Sequence, residues 1–453
     1  MNSPAHFVNL MLFTRRIVAA LVLSVTSLST QAEDLLDMYR MALRNDPTFD
    51  VARYTLKSAQ EKLPQAIAGL LPNVDAKGGS NLTNVQNEYS NASPIDRRVY
   101  AWNWSLQLTQ PLIRIQNQHA YNEARISLEQ AQAQYNLAEQ GIILRTTQAY
   151  FDVLASRESI KVAEAEISTT EEQLDLAKRG FENGVVAITD VHDGQSRLDM
   201  ARSHLVVAQS DLDTKTAELA KIVDEVPEQL AALDPTVSIP PPIPNQQQPW
   251  VTQAREHHPA VRAAQSGLLV AESTVDKTRA EYLPTLDLVA SLSENYSSGS
   301  TVMPTNYASR GHTRQLGIQF NMPLFAGGST KSRVSEAIAN KYRIGAELEV
   351  ARRQAITDAR LAFAGVVNGL SQITALVSAV ESSQSAIDGN RAGYKLGIYS
   401  NINVLNAEQQ YYTAKRDLIK VRYETLLQSL KLKATAGILS EEDLLSINAL
   451  LKN

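Results

Sequence analysis

Trp102-Asn103-Trp104-Ser105-Leu106-Gln107-Leu108-Thr109-Gln110-Pro111-Leu112 decides how the rest of the chain is read. From Trp102 to Leu108 every second residue is large and apolar, and the residues between are polar and uncharged. A period of two sends alternate side chains to opposite faces of a strand. A stretch of about ten residues with one apolar and one wet, uncharged face suits a transmembrane barrel strand. A soluble sandwich gives the same alternation, so the strand alone leaves both open. Pro111 closes the pattern, and from Leu112 to Val226 there are 115 residues without a proline.

The same passage recurs 212 residues later as Gln315-Leu316-Gly317-Ile318-Gln319-Phe320-Asn321-Met322-Pro323-Leu324, with Leu316, Ile318, Phe320 and Met322 as the apolar set. Ala42 to Pro47 matches Ala254 to Pro259, and Leu71-Pro72-Asn73-Val74-Asp75 matches Leu283-Pro284-Thr285-Leu286-Asp287, at the same shift of 212. Gly180 and Gly184 align with Gly393 and Gly397, and Val191 with Val404, at 213. An ordered series at a nearly constant shift marks a duplication. Leu286, Leu288, Ala290 and Leu292 form a further strand, and its partner from Val74 onward is the weakest of the four. The polar stretches Thr83–Arg98 and Ser293–Thr313 are expected to be outward loops. Between the copies, Pro227 to Pro259 holds 8 of the 17 prolines, an extended connector.

After each strand pair the period changes to 3.5. Ile160, Ala163, Ile167, Thr170, Leu174, Ala177 and Phe181 alternate steps of three and four, and Val191, Leu198, Leu205, Leu212 and Leu219 recur every seven. These are coiled-coil seams. Helices are predicted over 115–183 and 188–223, and again over 328–396 and 401–436, with Gly-containing turns between; breaks at Gly141 or Gly365 are the alternative. Pro111 and Pro323 mark the strand-to-helix joints.

Residues 1–32 differ from all that follows. Arg15-Arg16, an apolar run from Ile17, and a small-residue stretch ending at Ala32 have the order of a secretory signal peptide. Its loss takes the net charge from -5 to -7. No later segment has 18 consecutive apolar residues, so entry into a membrane falls to the strands. Four strands cannot close a barrel, since the smallest bacterial ones use about eight. Open edges are not viable in lipid, so the barrel reading requires several chains. The expected partition is a leader at 1–32, a first repeat at 33–226, a connector at 227–253, a second repeat at 254–436 and a terminal segment at 437–453.

Composition removes other classes. With no cysteine there is no disulfide, thiolate cluster or cysteine nucleophile. The balance of 43 Lys+Arg against 48 Asp+Glu gives no basic excess for nucleic acid. The seven histidines show no metal-ligand spacing, and Asp190 with Asp193 in a turn lacks the pocket of a catalytic dyad. No enzyme, metal or cofactor is expected, and transport energy would come from partners.

Asn183-Gly184-Val185-Val186-Ala187-Ile188-Thr189-Asp190-Val191, its echo at Gly393-Tyr394 and Val404-Leu405-Asn406-Ala407, and the duplicated strand-strand-helix order resemble the TolC family of outer-membrane channels. The resemblance spans essentially all of the mature chain. It implies a mainly α chain with a membrane β-barrel portion: a homotrimer with a shared 12-stranded barrel continuous with a 12-helix periplasmic tunnel, belted at mid-height by the connector and the terminal segment. It also implies outer-membrane lipid, a periplasmic adaptor and an inner-membrane ABC or proton-driven transporter as partners. Members anchored through an N-terminal cysteine are excluded. The tips at 180–191 and 393–404 would be the periplasmic entrance, with Asp190 and Tyr394 matching the family's bridge. Tyr399 stands where the bridging arginine is expected, and Asn403 and Asn406 where two ring aspartates are. A neutral amide ring should bind divalent cations weakly. An exported coiled-coil protein without a channel is the competing reading.

Overall fold

The computed structural model describes residues 33–90, 92–226, 229–234, 237–303 and 305–452. The leader expected at 1–32 lies outside them, as do residues 227, 228, 235 and 236 of the connector. Helices α1 (Leu35–Asn45) and α2 (Pro47–Ala68) meet at Asp46. Its side chain accepts from the Thr48 N–H at 2.9 Å while Pro47 opens the next helix. Strands β1 (Asn73–Tyr89) and β2 (Ala92–Ile113) follow, then helices α3 (Ile115–Glu182) and α4 (Ile188–Val223). After a short strand β3 (Ala232–Leu233) the order repeats as α5 (Gln247–His257), α6 (Pro259–Arg279), β4 (Thr285–Ser297), β5 (Ser309–Asn321), α7 (Ser329–Lys395) and α8 (Asn401–Thr435). Helix α9 (Glu441–Asn448) and strand β6 (Leu451–Lys452) end the chain. Helix α5 straddles the expected boundary between 253 and 254.

Helix α3 has 68 residues and α7 has 67, each about 100 Å at 1.5 Å per residue. Neither glycine breaks them. A Cβ at Gly141 would meet nothing, so only its propensity cost is felt, and Gly365 makes room for the Gln428 side chain of α8. On the α3 and α4 seam, Ala163, Thr170, Leu174, Ala177, Leu198 and Leu219 are buried. Phe181 is the exception at 45% exposure, because it lies in the last turn, where the returning helix has not begun.

The four long strands form one antiparallel sheet in the order β1-β2-β4-β5, so the β2–β4 pair joins the two repeats. Directly opposed residues share a face. One face carries Val74, Leu108, Ala290 and Leu316 in one row, and Ala76, Leu106 and Leu292 in the next. The opposite face carries Asp75, Gln107, Ser291 and Gln315, then Lys77, Ser105, Ser293 and Thr313. Trp104, Leu106, Leu316, Ile318, Phe320 and Met322 are exposed on the protomer, whereas Trp102 and Leu108 are half-buried. Trp102 stacks on Tyr296 with ring centroids 6.0 Å apart. Strands β1 and β5 each pair on one side only.

Two expectations are corrected. The stretches 83–98 and 293–313 are mostly strand, with Thr83 opposite Val99 and Ser297 opposite Ser309. Polar side chains do not interrupt a ladder made by backbone groups. Pro111 does not end its strand: it pairs with Asp287, and an irregularity lies between it and Ile113. Proline is tolerated at such a bulge because no N–H is required there. Pro323 does stand just after β5.

The main core lies midway along the long helices, where both ends of the chain meet them. Leu35 and Met38 of α1, Tyr150 and Phe151 of α3, Leu219 of α4, Leu430 of α8 and Leu444 of α9 are all buried there. The Tyr150 hydroxyl donates to the Ala231 carbonyl at 2.6 Å. Asn448 of α9 accepts from the Leu35 N–H at 3.1 Å, so the first and last helices close this core together.

Candidate functional site: the helical entrance

The two hairpin tips are built by the same turn. Val185 N–H donates to the Gly180 carbonyl at 2.8 Å and Gly184 N–H to that of Phe181 at 2.9 Å, with Gly184 at φ +71°. In the second copy Ile398 N–H donates to Gly393 at 2.9 Å and Gly397 N–H to Tyr394 at 3.0 Å, with Gly397 at φ +72°. This is a left-handed helix end that satisfies the last free carbonyls, and glycine takes it without a Cβ clash. The returning helix starts four residues beyond each glycine, preceded by an extended residue, Ala187 or Ser400.

Asp190 is the third residue of α4 and not its cap, which is Ala187. The carboxylate sits in the first turn, where the helix dipole favours negative charge. Burial, and secondarily Asp193, hold its carboxyl above the usual aspartate range. Tyr394 lies close enough that the Asp190 charge adds to burial in raising its phenol. No hydrogen bond joins the two side chains among the described residues.

Tyr399 stays within its own hairpin: its ring lies on Gly393, where a Cβ would collide with it. The Asn403 side chain donates to Ser400 Oγ at 3.2 Å and is otherwise open to water. Asn406 accepts from Arg197 Nη2 at 2.9 Å, while Arg197 Nη1 donates to Gln409 Oε1 at 2.5 Å. The structure thus brings Asp190 and Tyr394 together and gives Asn406 a cation from the first hairpin. Tyr399 makes no such bridge among the described residues.

The strongest cross-hairpin contacts involve residues that the sequence did not single out. Asn401, the first residue of α8, has no exposed surface. Its Oδ1 accepts from Gln173 Nε2 at 2.7 Å, and its Nδ2 donates to the Asp190 carbonyl at 3.1 Å. One side chain therefore ties α8 to both α3 and α4. Higher up, Tyr412 bonds Thr169 at 2.7 Å and the Ala165 carbonyl at 3.1 Å, and Arg416 pairs with the buried Glu166 at 2.7 Å. Seam positions carrying Asn401 and Glu408 three and four residues either side of Val404 were the available signal. Polar groups on a coiled-coil seam fix register at a cost in stability.

The family model for the outer membrane efflux protein matches residues 38–224 and again residues 250–438. The chain belongs to that family. It is 30% identical over 438 residues to the outer membrane protein TolC of Escherichia coli, covering 95% of this chain and 88% of TolC. It is 28% identical to the proteases secretion protein PrtF of Dickeya chrysanthemi, covering 96% of this chain and 95% of PrtF. Its fold matches the outer membrane channel CmeC of Campylobacter jejuni with a TM-score of 0.78 at 16% identity, over 92% of this chain and 89% of CmeC.

This outer membrane efflux protein is therefore an exit duct of the outer membrane. The family is one of channels and not of enzymes, and the competing reading of a coiled-coil protein without a channel falls. Among the acids near the hairpin tips, Glu408 is the most buried. Arg391 of α7 donates to its Oε1 at 2.8 Å, but Oε2 has no partner. Burial holds this carboxyl above the usual glutamate range despite Arg391, with Glu172 adding to the effect.

Proposed function

We propose that three copies of the chain share one barrel of twelve strands and one tunnel of twelve helices, and that the tunnel is a passive duct closed at its periplasmic tips. The observation that carries this is the four-stranded sheet with two unpaired edges, apolar on one face and polar on the other. Edges in hydrocarbon leave backbone groups unbonded at several kcal/mol each, so other copies must pair with β1 and β5. A second feature agrees. Leu361 to Val380 of α7 holds no charged residue. An apolar window in that helix reaches a mean hydropathy of 1.5 with only 11% of it buried by its own chain. By length and composition it would pass for a membrane span, but charged turns continue the same helix on both sides. A neighbouring copy is its natural cover.

In this reading the repeats 33–226 and 254–436 each supply two strands and one hairpin, while 227–253 and 437–453 belt the tunnel. Asp190, Tyr394, Tyr399, Asn403 and Asn406 line the entrance, and the face of Trp102 to Leu108 and Leu316 to Met322 meets lipid. A periplasmic adaptor and an inner-membrane ABC or proton-driven transporter deliver cargo. PrtF, named for protease secretion, favours a protein cargo. The test is a heat-modifiable trimer in outer-membrane extracts together with conductance in planar bilayers. A stable monomer in detergent, with its edge strands open to exchange, would overturn the shared barrel.

A further inference from the structure

The sheet face read as lipid-facing changes character part-way along β5. Toward the helices it carries Leu316, Ile318 and Phe320, and the exposed Met322, Leu324 and Phe325 extend this apolar band past the strand end. Away from the helices the next three positions on that face are all basic: Arg314, His312 and Arg310. At the same level the other face of β5 carries Thr313, Gly311 and Ser309, so the charge is confined to one side. A hairpin that merely ended in water would have no reason to sort it so.

The neighbouring strands build a seat around these cations. Trp102 and Tyr296 stack, and the Arg310 guanidinium lies 5.8 Å and 6.0 Å from their ring centroids. Glu294 is the one carboxylate in the group. It pairs with Arg310 at 3.3 Å, lies 3.8 Å from His312, and accepts from the Trp104 indole at 3.1 Å. Arg314, opposite Leu292, has no hydrogen-bond or ion-pair partner among the described residues. One acid faces two arginines and a histidine, so the group keeps a net positive charge.

From Asn321 at the end of β5 to Arg314 is seven residues, about 23 Å of extended chain, or about 18 Å along the membrane normal at a strand tilt of about 40°, and Met322, Leu324 and Phe325 continue the apolar band beyond it. The apolar band of an outer-membrane barrel is about 25 Å tall and edged by aromatic residues. The cations and the Trp102–Tyr296 pair therefore fall at the outer border of the hydrocarbon, on the lipid side. An unpartnered arginine there requires an anion, and its planar fork suits a phosphate.

We infer that this patch binds a phosphorylated glycolipid of the outer leaflet, of the lipid A class, with its phosphates on Arg310 and Arg314 and its acyl chains along Leu316, Ile318 and Phe320. Arg310 is held in place by Glu294 and the two rings, and Arg314 remains free to grip. The inference rests on the reading that this face meets lipid.

The test is native mass spectrometry of the purified channel with bis-phosphorylated lipid A and with the same lipid after phosphatase treatment. The phosphorylated form should be retained and the dephosphorylated form lost. R310Q/R314Q should cut retention of the phosphorylated lipid by at least about tenfold, since two charge-assisted contacts go. Arg314→Gln alone disturbs no contact within the sheet and should cut it by about threefold to fivefold. Equal retention of both lipids, or of the phosphorylated lipid by R314Q and the unsubstituted channel, overturns the proposal. A spin label at Leu316, read for oxygen against water-soluble quencher, separates the two levels. A label in water refutes the lipid-facing reading, and a label in lipid without phosphate preference refutes only the glycolipid site.

Discussion

Replacing Asn401 with leucine should open the entrance. The two side chains branch alike at Cγ and leucine is the larger, so the substitution removes polar contacts without leaving a cavity. In the closed arrangement it strands the Gln173 amide and takes the second hydrogen bond from the Asp190 carbonyl, which keeps its bond within α4. A buried polar group left without a partner costs about 1–3 kcal/mol, and the lost second bond about 0.5–1.5 kcal/mol. Burial of the leucine returns about 1.5–3 kcal/mol. Once the hairpins part, water reaches both groups, so the penalty falls on the closed state alone. A net loss of about 1 kcal/mol per protomer shifts the closed-to-open ratio about fivefold. Single-channel recording of the purified channel should show larger or longer openings for Asn401→Leu, with the trimer band on a gel unchanged. Gln173→Leu should act in the same direction. The double variant Q173L/N401L should open less than the sum of the two, because the stranded Gln173 amide is then absent. Unchanged conductance in an assembled Asn401→Leu channel, or strict additivity in the double variant, would refute the assignment of Asn401 as the tie between hairpins.

Glu408 gives the entrance an acid-favoured component. Its folded pKa lies above the ordinary 4.5, so its contribution to stability is fully present below that value and is lost as pH rises through the folded pKa. Glu408→Gln should flatten the pH dependence of thermal unfolding in that window, by a slope of at most about 1.4 kcal/mol per pH unit per protomer. Gly397→Ala, at φ +72°, should cost the second tip about 1 kcal/mol, read as a lowered unfolding midpoint. Divalent cations should block the channel weakly, and Asn403→Asp should strengthen block more than Asn406→Asp, since Arg197 at 2.9 Å from Asn406 would neutralise a carboxylate there.

The large features were legible because they are periodic. A change of period from two to 3.5, bounded by Pro111 or Pro323 and by Gly184 or Gly397, places helix ends within a residue or two of those observed. The stretch 83–98 reads as loop from its polar side chains, which carry no record of the backbone pairing that makes it strand. Asp190 is legible by position, but its place in the helix is set by the turn: Ala187 is extended and caps a helix starting at Ile188, so the acid falls inside the first turn. Asn401, Arg197 and Arg416 stayed hidden because their partners depend on how one hairpin is rotated against the other. No local pattern records that angle. Tyr399 shows the limit of position matching, since its ring answers to Gly393 in its own hairpin.

Along α8 the balance shifts from apolar packing in the upper part to polar bonding around the buried Val404 and Leu405 in the lower. In its upper part Tyr423, Leu426 and Leu430 sit in the main core, and the Tyr423 and Phe151 rings lie 5.3 Å apart. From Arg416 down to Asn401, about 22 Å at 1.5 Å per residue, the contacts with the first hairpin are hydrogen bonds and an ion pair around Leu405. Parting apolar surfaces forfeits about 1.5–3 kcal/mol for each large side chain. Parting a hydrogen bond costs only about 0.5–1.5 kcal/mol, because water takes the partner's place. The lower segment can therefore swing while the main core holds, and the bend belongs between Arg416 and Val421. Amide hydrogen exchange tests this directly: protection should step upward between residues 416 and 421 of α8. Uniform protection from Asn401 to Thr435 would mean that the second hairpin moves as one body, if it moves at all, and that the polar contacts near the tip do not locate the hinge.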